Sequence, residues 1–123
     1  MQIRGIREEL LNMLLELGKS QHPCEFLAIL KEENGVVSDL ELVPGTISRL
    51  ESASFSPYML PLDTHVAGSA HSHPNGVLSP SSADLRFFPS IGRYHLIIGY
   101  PYGRHSWRCF TPDGTSYPME VIA

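Results

Sequence analysis

The chain has 123 residues, 42% of them hydrophobic and 18% charged, which fits one ordinary globular domain spanning residues 1–123 and gives no case for disorder or a coiled coil. A formal net charge of -4, with nine scattered Lys and Arg, excludes a general nucleic-acid binder, because nonspecific phosphate binding draws on a cationic surplus. No apolar run approaches the roughly 18 residues that a membrane span needs, and the opening Met-Gln-Ile-Arg lacks signal-peptide character, so a cytoplasmic protein with neither membrane nor nucleic acid as partner is expected.

The first element is an amphipathic helix: Ile6, Leu10, Met13, Leu14 and Leu17 recur at helical spacing, with Arg7, Glu8, Glu9, Asn12 and Glu16 opposite. It should end near Gly18, and His22-Pro23 blocks its continuation. Residues 25–30, Glu-Phe-Leu-Ala-Ile-Leu, read as a buried strand. Asn34-Gly35 is a tight hairpin turn, and residues 36–43 supply the returning strand, closed by Pro44-Gly45. Residues 46–58 are diluted by serines and read as a weak, partly exposed strand, followed by an apolar connector at 59–62.

Residues 66–71 form a strand of unusually small side chains, which lets another backbone come close. Ser79-Pro80 gives an N-cap followed by proline at the first helical position, predicting a helix to about Phe88 that Pro89 and Gly92 terminate. Residues 94–100 are a strong strand, 101–104 a turn, and 106–110 the strand that returns. Asp113-Gly114 then turns into a last strand at 117–122. Six or seven strands and two helices without repeat or linker make an α+β domain the economical reading.

Two cysteines, Cys24 and Cys109, cannot build a disulfide framework, and with no Cys-x-x-Cys pair they argue against a thiolate zinc site; reduced, buried thiols are expected, and whether the two pair with each other is not written in the sequence. The chemistry lies elsewhere. In a strand, residues i and i+2 share a face, so both imidazoles of His71-Ser72-His73 can reach one ion. A short loop then leads into a helix whose first turns carry Asp84. Two imidazoles and one carboxylate make a three-ligand set that leaves a fourth position for water, as catalytic zinc requires. Zinc lowers the pKa of water toward about 7 and polarises carbonyls, and both serve amide hydrolysis.

The run His71-Ser72-His73-Pro74, then Pro80-Ser81, then Asp84 resembles the motif of JAMM (MPN+) metalloproteases, His-x-His-Pro, five residues, Pro-Ser, two residues, Asp. The small prokaryotic members are similar elsewhere too, in His22-Pro23-Cys24-Glu25-Phe26 and in the Tyr-His-Leu-Ile-Ile strand at 94–98. The resemblance implies a single MPN (JAB1/MPN) domain: a curved mixed sheet packed with helices, similar to the cytidine-deaminase-like fold. It implies one Zn2+ per chain on His71, His73 and Asp84, with Glu25 as general base and Ser81 as hydrogen-bond donor to the developing oxyanion. Spacing alone does not select Glu25 among the glutamates; its one intrinsic mark is that it opens an apolar strand.

A thiol nucleophile at Cys24 is disfavoured, since strand neighbours point to opposite faces and Cys24 faces away if Glu25 faces the metal. Other zinc chemistries fail on ligands. The chain has no His-Glu-x-x-His helix, and no His-x-Glu with Pro-Cys-x-x-Cys. His22, His65, His95 and His105 are structural or surface residues on this reading, with His95 packed in its strand and His65 the open case, a possible aid to substrate. The resemblance further implies hydrolysis of peptide or isopeptide bonds after the C-terminal tail of a ubiquitin-like modifier or sulfur-carrier protein. Residues 46–58 are the candidate strand beside which that tail adds. The alternative is a non-catalytic MPN-type scaffold, a class whose members usually lack ligands that this chain keeps. Which modifier is cut, which type of bond, and the oligomeric state are not written in the sequence.

Overall fold

The structure is a computed structural model that describes residues 2–43 and 65–123. In chain order its elements are β1 (Gly5–Arg7), α1 (Glu8–Gln21), β2 (Leu27–Glu33), β3 (Val36–Leu42), β4 (Val66–His73), α2 (Ser82–Phe87) with a 3-10 turn at Phe88–Ser90, β5 (Tyr94–Gly99), β6 (Trp107–Phe110), β7 (Ser116–Tyr117) and β8 (Glu120–Ile122). Among the described residues the strands form one eight-stranded sheet, in the order β7-β6-β5-β4-β2-β3-β1-β8. It is mixed: β4 runs parallel to β5, and β1 runs parallel to β3 and β8, while the other pairs are antiparallel. The expected strand at 46–58 and connector at 59–62 lie outside the described residues.

Strands β7 and β8 sit at opposite edges of the sheet yet are separated by only Pro118 and Met119, so the sheet curls until its edges approach. The Tyr117 hydroxyl donates to the Ile3 carbonyl across this seam, and the Tyr94 hydroxyl lies 3.4 Å from the Ile3 nitrogen. The single strand expected at 117–122 is therefore two short ones, broken at Pro118, which has no N–H to continue a ladder.

Helix α1 fills the inside of the curl through Leu10, Leu11, Leu14 and Leu15, which join Phe26, Ala28, Leu30, Ala70, Leu96 and Ile98 in the main core. Ile6 belongs to β1 rather than to the helix, and Met13 is 52% exposed. The apolar stripe thus runs through Leu11 and Leu15 instead. Nor does Gly18 end the helix. It is buried inside it against Tyr102, where an added Cβ would come within 2.5 Å of the ring. The helix stops at His22-Pro23, as expected. Asn34 and Gly35 both take left-handed conformations, φ 54° and 82°, which a tight hairpin turn of this kind demands.

On the other side of the sheet, β4 leads into α2 and back into β5, and two smaller apolar groups, around Leu27 and Ile29 and around Phe88, Ile97 and Phe110, close that face. No helix among the described residues is long and apolar enough to cross a membrane.

Candidate metal centre

Strand β4 is central, with β2 on one side and β5 on the other. Its register pairs His71 with Leu27 and Ile97, and His73 with Gly99. Alternation places Ser69, His71 and His73 on the α2 side and Gly68, Ala70 and Ser72 on the α1 side. The small residues have a steric cause: a Cβ on Gly68 would lie 1.6 Å from the Tyr94 carbonyl oxygen.

Asp84 arrives from the first turn of α2, whose N-cap is Ser81 and not Ser79. The two residues form a reciprocal capping box: the Asp84 N–H donates to Ser81 Oγ (3.1 Å) and the Ser81 N–H donates to Asp84 Oδ2 (2.8 Å). The cap therefore fixes the carboxylate in place. His71 Nε2 lies 3.1 Å from Asp84 Oδ1, His73 Nε2 lies 3.1 Å from Asp84 Oδ2, and the two Nε2 atoms are 3.1 Å apart.

The protons explain what this triangle wants. His73 Nδ1 is 2.7 Å from the Val77 carbonyl, which only accepts, so Nδ1 carries the hydrogen and neutral His73 presents a bare Nε2. Nε2 of both rings and the Asp84 carboxylate thus converge on one point, where a cation would take the place of the hydrogens that otherwise bridge them. Zinc ligands with arms of about 2.0–2.1 Å at tetrahedral angles lie roughly 3.3 Å apart, and the donor set of two imidazoles and one carboxylate suits that ion. His71, His73 and Asp84 fit it.

Burial pushes the His71 pKa below its usual value, against the pull of Asp84. Burial also acts to lower His73 and to raise Asp84, but it is outweighed in both. Hydrogen bonds to Asp84 and Val77, with the charges of Asp84 and Glu25, raise His73. Hydrogen bonds from both histidines hold Asp84 well below the usual carboxylate range.

Glu25 precedes β2, two residues before Leu27 and with the same parity. It lines a cleft of about 410 Å³ together with His73, Ser79, Pro80, Ser81 and Asp84. Ser72 does more than separate two histidines: its hydroxyl accepts the Phe26 N–H at 3.0 Å, and its own N–H bonds the Phe26 carbonyl at 3.3 Å. These bonds tie the segment carrying Glu25 to the strand that carries both histidines. Nothing in the sequence marked that role, or that of the Val77 carbonyl. A second recess of about 400 Å³, lined by Gln2, Arg93, Tyr94, Thr111 and Tyr117, holds neither carboxylate nor imidazole.

The remaining histidines divide as follows. His65 is exposed at the far end of β4, with Nδ1 3.7 Å from Glu32 Oε1, so it stands away from the centre. His22 meets the Tyr102 hydroxyl at 2.7 Å, and His95 is fully buried in β5, as expected. Both cysteines are free; Cys109 is buried as expected, which pushes its thiol up to about 12, whereas Cys24 is only half-buried.

The model of the prokaryotic homologues of the JAB domain matches residues 7–110. A protein of Haloferax volcanii named "Probable metalloprotease" is 40% identical over 131 residues, covering 98% of this chain and 81% of its own length. Among solved structures, a JAB1/MPN domain protein from Archaeoglobus fulgidus is similar at TM-score 0.79 and 35% identity, covering 97% of this chain and 99% of that one. A structure described as a metalloprotease-like zinc site in the proteasome and signalosome also reaches TM-score 0.79, at 34% identity, covering 99% of this chain and 100% of that one. With the three ligand atoms converging where the JAMM-type motif puts them, the chain belongs to the prokaryotic JAB-domain family, of JAMM-type, metalloprotease-like proteins.

Proposed function

We propose that this protein is a zinc peptidase, one ion per chain, that hydrolyses the peptide or isopeptide bond following the C-terminal tail of a ubiquitin-like modifier or sulfur-carrier protein. The observation that carries the reading is the convergence of His71 Nε2, His73 Nε2 and the Asp84 carboxylate, each 3.1 Å from the next, beside a cleft that also holds Glu25 and Ser81. Zinc on these three residues would supply Lewis acidity toward a carbonyl and bring water within reach of ionisation near neutral pH.

The chain's own residues divide the remaining work. Glu25 accepts a proton from the attacking water and delivers it to the departing amine, a service normally worth about 10² to 10⁴ in rate. Ser81 Oγ already accepts the Asp84 N–H, so its own hydrogen is available to a substrate oxyanion. His73 is kept in one tautomer by Val77. Support for a protein tail as substrate comes from the likeness to JAMM-type proteins and from the neighbour whose zinc site is described as lying in the proteasome.

Glu25→Gln tests the mechanism, because an amide can hydrogen-bond water but cannot take its proton. Zinc content and affinity for a ubiquitin-like tail should stay at wild-type values, while single-turnover cleavage of a tail-linked fusion falls at least about 10²-fold. Equal cleavage by wild type and variant removes Glu25 from the mechanism. Zinc loss in step with activity would make it a ligand or a fold element.

A further inference from the structure

Among the described residues, two buried side-chain polar atoms have no hydrogen-bond partner, His71 Nδ1 and His95 Nε2. They belong to one layer. Ser69 pairs with His95 across β4 and β5, two positions along the ladder from the pairing of His71 with Ile97, and Ser69, His71 and His95 are each 0% exposed. Ser69 Oγ lies 2.7 Å from His95 Nδ1. The Phe88 ring stacks on His95 at 4.2 Å and 2°, and its centroid is 6.2 Å from that of His71. A serine–histidine pair is thus sealed beneath the metal centre in a layer otherwise filled by Phe88, Ile97 and Phe110.

If His71 Nε2 faces the cation, its Nδ1 carries the hydrogen and needs an acceptor. The Ser69 hydroxyl and His95 Nδ1 share one hydrogen bond, and in either tautomer of His95 a lone pair remains on Ser69 Oγ, on the same face of the strand as His71 and two residues before it.

We propose that Ser69 and His95 are positioning residues for the metal ligand His71: His95 holds the Ser69 hydroxyl so that Oγ receives the His71 Nδ1–H through one buried water. The pair thereby sets the tautomer and orientation of a ligand whose Nδ1 no other described group engages. This rests on the reading that His71 holds a metal. Buried polar groups without such a task are costly in an apolar layer, and outer partners of ligating histidines commonly govern metal affinity by about 10- to 100-fold.

The test uses Co2+ as a spectroscopic stand-in for zinc. Affinity is measured by chelator competition, and the visible bands of the loaded protein are recorded, for wild type, Ser69→Ala, His95→Phe and His95→Asn, with thermal melting of each metal-free protein as the folding control. Ser69→Ala should bind Co2+ roughly 10- to 100-fold more weakly and with shifted bands. His95→Phe should do the same, because Ser69 loses its anchor, and His95→Asn, which keeps a hydrogen-bond partner near the place of Nδ1, should recover much of the affinity. Wild-type affinity and an unchanged spectrum in Ser69→Ala overturn the proposal. If that variant does not fold, equal affinities in His95→Phe and His95→Asn overturn it instead. Failure of wild type itself to bind Co2+ or Zn2+ would overturn the metal reading and this proposal together.

Discussion

The two faces of β2, β4 and β5 come from alternate residues of the same short segments, yet they carry opposite chemistry. Toward α1 the strands present even-numbered residues, Ala28, Leu30, Ala70, Leu96 and Ile98, all fully buried in the main core. Toward α2 they present odd-numbered ones, Ser69, His71, His73 and His95, beside Leu27, Ile29 and Ile97. Ser72 is the polar exception on the even side, and its hydroxyl is taken by the Phe26 N–H. The difference teaches that one face is committed to stability and the other to chemistry, so the two can be altered separately in strands only a few residues long.

The strongest way to break that division is on the odd face. His71→Ala with His73→Ala should abolish both zinc binding and hydrolysis while the metal-free protein melts within a few degrees of metal-free wild type, measured by elemental analysis and circular dichroism. Full metal occupancy in that double variant would refute the site. On the even face, Leu96→Ala should cost about 2–5 kcal/mol in urea unfolding, as a buried leucine truncation does, with zinc per folded chain unchanged. Zinc loss at equal folded fraction would show that the faces are not independent. Ser81→Ala sharpens the comparison from outside the sheet. It should retain zinc and lower turnover by roughly 10², with about 1 kcal/mol lost from the helix cap. Zinc loss in that variant would make its capping contact with Asp84, and not a donated hydrogen bond, its main function.

Much of this was legible because it depends on local rules. The spacing of His71 and His73 implied a shared face, Asn34-Gly35 implied the hairpin, and Ser79-Pro80 marked the helix that carries Asp84, if not its exact cap. The errors were local too. Ile6 fits both the helical stripe and the three-residue strand β1, and only pairing with Val37 and Val121 decides between them. The cap fell on Ser81 because its hydroxyl accepts the Asp84 N–H while the Asp84 carboxylate accepts the Ser81 N–H, a Ser-x-x-Asp pattern present in the sequence but outweighed by Ser79-Pro80. Glu25 needed the family likeness, since a carboxylate before an apolar strand has no distinctive spacing. The pairing of Ser69 with His95 spans 26 positions and depends on parallel register, which periodicity within one strand cannot reveal.

The seam between β7 and β8 leaves the last strand separable from the site. A chain ending at Met119 would keep β2, β4 and β5 with residues 71–84, and so the His-His-Asp cluster, while the outer edge of β1 would lack its pairing with residues 120–122. The bare edge of β1 is where such a truncated product would recruit a foreign strand.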